Sequence, residues 1–514
     1  MSSDRKLKEC ISVQKILWWL IFFGSAVNYM LRTNLNIAIV SMVEKRQPKL
    51  NNESQVEKCY SENYINSTNT TNSEEILSQD DEIRYNWDEK QQGLILGGFF
   101  WLFWATQVPG GILAQRYGTK MVYGLANMFL MLLCLLIPLA SSLDYRVVVF
   151  LRVLQGISAG ASMPSIHRLT ANWIPPNERS KFITAYMGTA VGAAVTYPFC
   201  GLLISWFGWP SVFYITGAIG VIWFTAWWLL AYDSPAQHPR ISKEEKLNIM
   251  NKIGDVIAPK TLSTPWKKIL LSRPVWINIF AEWGNLWGLY TIMTQAPTYF
   301  KLIHGWDIQM TGFLSGIPHL ARLIISVLMS IFADYLLNND SMSRTNVRKM
   351  ATAACCIGQG LFMLALAFSG CNSTAAIVFS IGATGMSGTV SSGALASFID
   401  MSPNFSSIIV GISNMIGGVS GFLSAYLVGV LTYQNQIVGQ WQLVFIISTV
   451  FLLVPGILHL FLSSSKLQDW NTPTEQINCH ELQKLNPEAN RDKVFPQETQ
   501  NEIKITSKRN ETEE

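Results

Sequence analysis

The sequence predicts an all-α membrane protein with twelve transmembrane helices, and three observations lead to this fold class. Only 14% of the 514 residues are charged, whereas soluble domains carry about 25%, and 49% are hydrophobic. The charged residues gather in a few polar segments, and the chain between those segments is apolar. One spanning helix needs about 20 apolar residues, so a chain of this length has room for twelve.

Twelve apolar stretches follow one another along the chain. They lie at 16–43, 91–114, 121–143, 147–171, 182–207, 211–232, 275–299, 311–337, 350–369, 374–399, 407–433 and 441–462. The polar segment 233–273 divides them into one six-helix bundle at 16–232 and a second at 274–462. Residues 1–15 are predicted to be an N-terminal tail, and the polar residues 463–514 a disordered C-terminal tail.

The distribution of Lys and Arg predicts which ends of the helices face the cytoplasm. With the N-terminus inside, most positive charges of the short loops lie on the cytoplasmic side, as the positive-inside rule requires. Both termini and the 233–273 linker are then cytoplasmic. Within the linker, Ser242 and Glu245 have the spacing of a capping box that opens a short amphipathic helix on the membrane surface.

The long loop 44–90 lies on the outer side in this topology. It carries the N-x-S/T sequons of Asn52, Asn66 and Asn69, which only an extracellular or lumenal loop can use. We therefore expect this loop to be glycosylated.

The two halves have similar inner loops. Gly111, Arg116 and Gly118 precede the third helix, and Asp334 occupies the corresponding place at the end of the eighth. Two six-helix halves with matched inner loops are typical of the major facilitator fold, in which the halves rock around a midplane site.

Polar residues inside the membrane are concentrated on four helices. A charged group in the bilayer costs about 2.5 to 3.5 kcal/mol on insertion scales, so each requires a reason. At helical spacing they are Asn28, Arg32 and Asn36 in the first helix, Arg152 and Gln155 in the fourth, Asn278, Glu282 and Asn285 in the seventh, and Ser315, His319 and Arg322 in the eighth. One reading is that these groups only pair with each other and hold the helices together. The set as a whole better fits a shared water-filled cavity.

This cavity is predicted to bind a small anion, because up to three arginines face one carboxylate; snorkelling of Arg152 to the interface is the alternative for that residue. A guanidinium binds carboxylate or phosphate through two parallel hydrogen bonds. The residues expected to bind the anion are Arg32, Arg152, Asn28, Asn36, Asn285 and Arg322.

Transport of an anion into a negative-inside cell requires a co-transported cation, which we expect to be Na⁺ or H⁺. Glu282 and His319 are the candidate coupling groups, since each can take up a proton.

Other function classes find no support in the sequence. It contains no zinc-ligand spacing, phosphate loop or nucleophile elbow, so we expect neither an enzyme nor a resident cofactor or metal. A net charge of +4 does not suggest a partner among nucleic acids. Eight cysteines in this length exclude a disulfide scaffold. We expect one chain in the lipid bilayer to be the functional unit.

Several longer motifs extend this picture. They are Arg152-Val153-Leu154-Gln155-Gly156, Pro175-Pro176-x-Glu178-Arg179-Ser180, Arg32-x-Asn34-Leu35, Gln107-x-Pro109-Gly110-Gly111 and Asp400-x-x-Pro403. With them, residues 16–470 resemble the anion–cation symporter family of the major facilitators, which includes type I phosphate cotransporters, sialin and vesicular glutamate transporters. The resemblance is strongest to the inorganic phosphate cotransporters of insects.

The resemblance implies that Arg32 and Arg152 recognise the anion, and it places Glu178 and Arg179 among the conformational loop motifs. The family's acid in the fourth helix falls at Ala159 here, so we expect Glu282 to have taken over coupling.

The predicted function is cation-coupled symport of inorganic phosphate or a small organic anion by alternating access. Two alternatives stay open: a facilitative carrier for a neutral solute, and a transport-inactive sensor or scaffold. The N-terminal tail has no convincing acidic dileucine signal, which favours the plasma membrane over a lysosomal or vesicular membrane.

Overall fold

Every regular element in the described part of the chain is a helix. The computed structural model describes residues 12–44, 59, 84–174, 182, 184–253 and 264–471. Apart from helices, one isolated bridge joins Val43 to Tyr85 in these ranges. The predicted glycosylation sites Asn52, Asn66 and Asn69 lie outside the described residues, as do Glu178 and Arg179.

Six consecutive spans form the N-terminal half, and three of them are broken into two helices. They are α1 (Val13–Met42), α2 (Glu89–Gly98 and Gln107–Tyr117), α3 (Thr119–Leu135 and Ile137–Leu143), α4 (Tyr145–Gly160 and Ser162–Trp173), α5 (Gly188–Phe207) and α6 (Trp209–Leu230).

Six more spans form the C-terminal half. They are α7 (Arg273–His304), α8 (Ile308–Asn338), α9 (Arg344–Ala353 and Gln359–Ala367), α10 (Ser373–Met386 and Ala394–Met401), α11 (Ser406–Leu431) and α12 (Val438–Leu462). A π-helical turn, Ala354–Gly358, joins the two parts of α9, and a 3₁₀ turn, Ser387–Ser391, lies between the two parts of α10.

Not every span is apolar enough to be recognised by hydropathy alone. Among the described residues, eight helices are long and apolar enough to cross a membrane, and α3, bent by 45°, is a ninth. Both α1 and α7 are long enough to span, at 30 and 32 residues, but their Asn, Arg and Glu side chains lower their mean hydropathy. These two helices therefore carry much of the buried polar chemistry.

The two halves meet along α5 with α8 and along α2 with α11. Both contacts depend on glycine, because a larger residue would separate the backbones. A Cβ atom on Gly312 of α8 would lie 2.5 Å from the carbonyl oxygen of Tyr197, and one on Gly93 of α2 would lie 2.8 Å from that of Ala425. These contacts close the halves together on the side of the Val43–Tyr85 bridge.

The linker helix, Lys243–Ile253, contacts the beginning of α1 through Glu245. As expected for a cap, Ser242 Oγ accepts a hydrogen bond from the Glu245 amide at 3.0 Å. The Glu245 carboxylate does not complete the capping box but turns away, accepting hydrogen bonds from Ser12 Oγ at 2.6 Å and the Val13 amide at 3.1 Å. The linker helix is thereby attached to the N-terminal half.

The predicted start of the disordered tail at residue 463 is wrong, because residues 463–471 are ordered. The Asn471 side chain accepts hydrogen bonds from Ser402 Oγ at 2.9 Å and from the Asn404 amide at 3.1 Å. The Gln468 amide donates to the Met401 carbonyl at 2.9 Å. These bonds fix the chain beneath the end of α10.

A disulfide between Cys59 and Cys371 connects the two halves, and no sequence motif predicts it because the cysteines are 312 residues apart. Cys59 belongs to the loop between α1 and α2, and Cys371 to the loop between α9 and α10. The Cys59 amide also donates to the Ile303 carbonyl at 3.0 Å. Since disulfides persist on the oxidising side of a membrane, this bond agrees with an outer location for both loops.

The disulfide predicts a simple outcome for a cleaved protein. We expect a protein cut at a protease site inserted between residues 254 and 263 to migrate as one species on a non-reducing gel and as two after reduction. The reason is that Cys59–Cys371, the disulfide found among the described residues, still joins the halves after cleavage. A Cys371→Ser protein serves as the control and should separate without reductant. Separation of the cleaved unmodified protein without reductant would contradict the pairing.

Candidate functional site

Arg32 lies in the middle of α1, 4% exposed, inside a ring of aromatic side chains. Its Cζ atom is 4.7 to 5.4 Å from the ring centroids of Tyr29, Phe99, Phe100, Phe103 and Tyr290. Such cation–π contacts stabilise the positive charge without neutralising it, by about 0.5–2 kcal/mol each. The Nε and Nη2 atoms of Arg32 have no hydrogen-bond partner. The guanidinium is therefore held in place with donors to spare.

Arg152 of α4 lies beside Arg32 and is almost fully buried. Its Nη2 donates to the carbonyl oxygen of Arg32 at 3.2 Å, and its Nη1 donates to Gln155 Oε1 at 3.0 Å. Its Cζ is 5.0 Å from the Phe99 ring, which both guanidiniums share. The Nε atom has no partner.

No carboxylate neutralises this arginine pair in the part of the chain that the structure describes. The ion pairs found there within 4.0 Å both belong to Asp400, which contacts Arg344 and Arg348. Two buried guanidiniums without a counter-charge are costly in a low-dielectric medium. The arrangement of Arg32 and Arg152 therefore favours the binding of an anion.

The two predicted asparagines of α1 lie on either side of Arg32 along the helix. Asn28 Nδ2 donates to Asn127 Oδ1 of α3 at 2.8 Å, so it contacts its own half. Asn36 Nδ2 donates to the carbonyl oxygen of Met293 in α7 at 3.1 Å, and the Tyr197 hydroxyl donates to the same oxygen. Asn36 therefore contributes to the closure between the halves, beside the arginine pair rather than within it.

The predicted residues of the C-terminal half form a second group. Glu282 of α7 is 4% exposed, its Oε2 has no hydrogen-bond partner, and it interacts electrostatically with Arg322 of α8. Asn285, one turn further along α7, accepts a hydrogen bond from the Cys355 thiol at 3.2 Å. His319 is stacked on Tyr197 with ring centroids 5.7 Å apart, at the contact of the two halves.

Tyr290 connects the two groups, and sequence reasoning missed it. Its ring lies 5.1 Å from Arg32 Cζ, and both Arg32 and Glu282 lie within electrostatic range of its hydroxyl. The sequence did contain a signal for Tyr290. Trp287 and Tyr290 follow Trp283 by four and seven residues, so Tyr290 continues the aromatic face that the two tryptophans begin. Both tryptophans pack on α12, against Phe451.

The inner loops are held by acids that the sequence comparison of the halves did not single out. Gly118 adopts a positive φ of 88°, and the next helix is capped by Asp233, whose Oδ1 accepts from the Lys120 amide at 2.7 Å. A Cβ on Gly118 would lie 2.4 Å from the Asp233 carboxylate, so glycine is required. Gly111 lies against Pro164 of α4, where a Cβ would be 3.5 Å away.

In the C-terminal half the corresponding role falls to Asp400. Its Oδ2 lies 2.7 Å from Arg348 Nε, and Arg348 also donates to the Ser392 carbonyl at 3.0 Å. Asp334, the predicted counterpart of the first loop motif, is exposed, as is Arg116. These two residues stay candidates for contacts that form in another conformation.

Comparison with known proteins agrees with this architecture. Residues 21–424 match the model of the Major Facilitator Superfamily. The chain is 35% identical over 460 residues to vesicular glutamate transporter 1 of Bos taurus, covering 88% of this chain and 77% of that protein. It is 34% identical over 459 residues to vesicular glutamate transporter 2 of Homo sapiens, covering 88% and 74%.

Solved structures show the same fold at low sequence identity. A bacterial homolog of the human lysosomal transporter Spinster, inward-facing and unoccupied, matches with a TM-score of 0.61 at 14% identity, covering 87% of this chain and 96% of that one. The D-xylose-proton symporter matches with a TM-score of 0.58 at 12% identity, covering 87% and 99%.

These relatives are transporters and not enzymes, and the chain shares their many membrane spans. The chain is thus a multi-pass secondary transporter of the major facilitator superfamily, and it belongs to the type I phosphate cotransporter family, together with the vesicular glutamate transporters.

Proposed function

We propose that this transporter performs cation-coupled symport of inorganic phosphate or a small organic anion by alternating access. The observation that carries the proposal is the pair Arg32 and Arg152, buried side by side with no carboxylate partner among the described residues. A neutral solute would leave both charges uncompensated, and a purely structural role would normally pair them.

The free donors of the pair suit an anion with several oxygens. Arg32 keeps Nε and Nη2 free and Arg152 keeps Nε free, so phosphate or a carboxylate is able to bridge the two guanidiniums. The surrounding rings exclude water and lower the local dielectric, which strengthens each charge-assisted hydrogen bond. Because Tyr290 belongs to α7 while Arg32 belongs to α1, an anion bound here also contacts both halves.

Coupling is assigned to Glu282. It is the one acid in the described spans that lies close to the anion-binding group. The Tyr290 hydroxyl is within electrostatic range of both Glu282 and Arg32. Its negative charge attracts Arg322 when no cation is bound. Neutralisation of Glu282 by H⁺ or Na⁺ would free Arg322 for the anion, which makes the two ligands bind cooperatively. His319 is the second candidate for a proton.

The topology and the membrane are part of the same proposal. We place both termini in the cytoplasm and the disulfide-bonded loops outside. The plasma membrane stays our prediction from the N-terminal tail, although the similar proteins are named as vesicular transporters and do not favour it.

Ligand-induced stabilisation tests the substrate class. A ligand that binds only the folded state raises the melting temperature, by an amount that grows with its concentration relative to the Kd. We expect phosphate or a small carboxylate to stabilise the purified protein, and matched neutral solutes such as hexoses to have no effect. Stabilisation by a neutral solute that is unchanged in an Arg32→Gln protein would favour the facilitative carrier instead.

A further inference from the structure

The interior of the C-terminal half contains two irregular helical turns that contact each other and α7. These are the π-helical turn Ala354–Gly358 of α9 and the 3₁₀ turn Ser387–Ser391 of α10. Such turns inside long helices often mark functional sites, because they change which backbone and side-chain groups face inward. In transporters, interrupted helices commonly supply the ligands of coupling ions.

Helices α7, α9 and α10 meet at the thiol of Cys355. Its Sγ lies 3.2 Å from Asn285 Oδ1 on α7 and 3.7 Å from the carbonyl oxygen of Ser387 on α10. The neighbouring Cys356 donates to the Ala281 carbonyl of α7 at 3.4 Å. The irregular turns therefore contact the segment of α7 that carries Glu282.

One helical turn away, two buried polar side chains have no hydrogen-bond partner. Gln359 follows Cys355 by four residues, is 0% exposed, and has neither its Oε1 nor its Nε2 paired. Thr384 precedes Ser387 by three residues, is 0% exposed, and has an unpaired Oγ1. Residues three or four apart lie on the same helix face, so both side chains belong to the faces that meet at Cys355.

The backbone of α7 leaves room for the Gln359 amide. A Cβ atom on Gly288 would lie 2.6 Å from Gln359 Nε2, so the amide occupies the space that a side chain would otherwise fill. Asn285, one turn before Gly288, points its Oδ1 at the Cys355 thiol and interacts through its side chain with Glu282, which lies one further turn back and has an unpaired Oε2. A buried oxygen without a partner is unfavourable, so the unpaired oxygens of Gln359, Thr384 and Glu282 on these helix faces indicate a missing ligand.

The chemistry of these atoms points to a hard monovalent cation. Amide, hydroxyl and carboxylate oxygens are the donors that alkali and alkaline-earth ions prefer. In the described residues, no three His, Cys, Asp or Glu side chains group together as a site for a softer metal ion would require. With Glu282 as the single nearby carboxylate, the site offers one negative charge, which balances one Na⁺.

We propose that Gln359, Thr384 and Asn285 form a Na⁺ site inside the C-terminal half, with Glu282 supplying the compensating charge. This assignment rests on the proposed symport, for which it names the coupling ion and its ligands. Cation binding competes with Arg322 for the charge of Glu282, so it releases Arg322 toward the anion. Na⁺ binding at this site therefore affects anion binding at the arginine pair, although the Na⁺ and the anion do not contact each other.

The test measures Na⁺ binding directly on the purified full-length protein. Na⁺ is added against N-methylglucamine, without any anion substrate, and both the melting temperature and the binding of radioactive sodium are recorded. We expect Thr384→Val and Gln359→Leu each to weaken Na⁺ binding by about tenfold or more. Thr449→Val serves as the matched control, because the Thr449 hydroxyl is buried but donates to the Phe445 carbonyl at 2.8 Å.

The outcomes separate this site from the proposed function. Na⁺ binding that Thr384→Val and Gln359→Leu lose and Thr449→Val keeps supports the site, whatever the anion uptake. Na⁺ binding that all three variants keep overturns the ligand assignment. A protein that binds no Na⁺ but takes up anions under a pH gradient overturns the site and leaves symport intact. Gln359→Glu, which retains an oxygen ligand, should keep Na⁺ binding and shows that loss in Gln359→Leu is not misfolding.

Discussion

Replacement of Arg32 by glutamine is expected to reduce anion uptake by about thirtyfold or more, because truncating one partner of a buried charge-assisted contact costs about 2–5 kcal/mol. The Arg32 guanidinium is held by five aromatic rings and carries free Nε and Nη2 donors, so the anion loses both charge and hydrogen bonds. Arg32→Lys keeps the charge but not the planar fork, and we expect an intermediate loss. The measurement is the initial rate of anion uptake into proteoliposomes.

The stability of the variant distinguishes a binding role from a structural one. Arg32→Gln removes a buried charge that has no carboxylate partner among the described residues, and this gain offsets the lost cation–π contacts, so we expect little change of melting temperature in the absence of substrate. Its melting temperature should no longer rise when the anion is added. Arg146→Gln provides the control, since Arg146 is an exposed arginine at the outer end of α4. Uptake by Arg32→Gln at more than half the normal rate would refute its role in anion binding.

Replacement of Glu282 by glutamine is expected to uncouple transport from the cation. Glutamine keeps the size of the side chain but cannot neutralise Arg322 or a bound cation, so anion binding no longer depends on the cation. We expect the variant to exchange labelled anion across the membrane but not to accumulate it above equilibrium. The measurement compares anion exchange with gradient-driven accumulation in the same proteoliposomes.

A double variant tests the role of Glu282 in coupling more strictly. Glu282→Gln together with Arg322→Gln restores the charge balance of the site without restoring a group that binds a cation. We therefore expect the double variant to remain uncoupled. Full response of Glu282→Gln to both a pH gradient and a Na⁺ gradient would rule out Glu282 as the coupling group.

The positions of Arg32, Arg152 and Glu282 could be predicted from the sequence because a charge inside an apolar stretch is conspicuous. The cost of burying it is a local property, visible without knowing what surrounds it. The same reasoning predicted the helical fold and its division into two halves. The side chains that these charges contact are set by packing between helices distant in sequence, so Tyr290 of α7 was missed beside Arg32 of α1.

Neutral polar residues and cysteines were harder to interpret for the same reason. Gln359 and Thr384 look ordinary in a sequence of mixed apolar and small residues, and only their burial without partners reveals them. Cys59 and Cys371 are ordinary cysteines until the fold places them together. Asp400 was noted as part of a motif, but its pairing with Arg348 depends on the ends of α9 and α10 lying side by side.

The central claim is that a cation gradient drives an anion through this protein, and reconstituted uptake tests it most directly. The purified chain is placed in liposomes and supplied with radiolabelled phosphate or small carboxylates, with an inward Na⁺ gradient, an inward proton gradient or neither. We predict accumulation of at least one anion under a cation gradient, only exchange without one, and loss of both in Arg32→Gln. Anion uptake that reaches the same level with and without either gradient, or no uptake under any condition, would contradict the account.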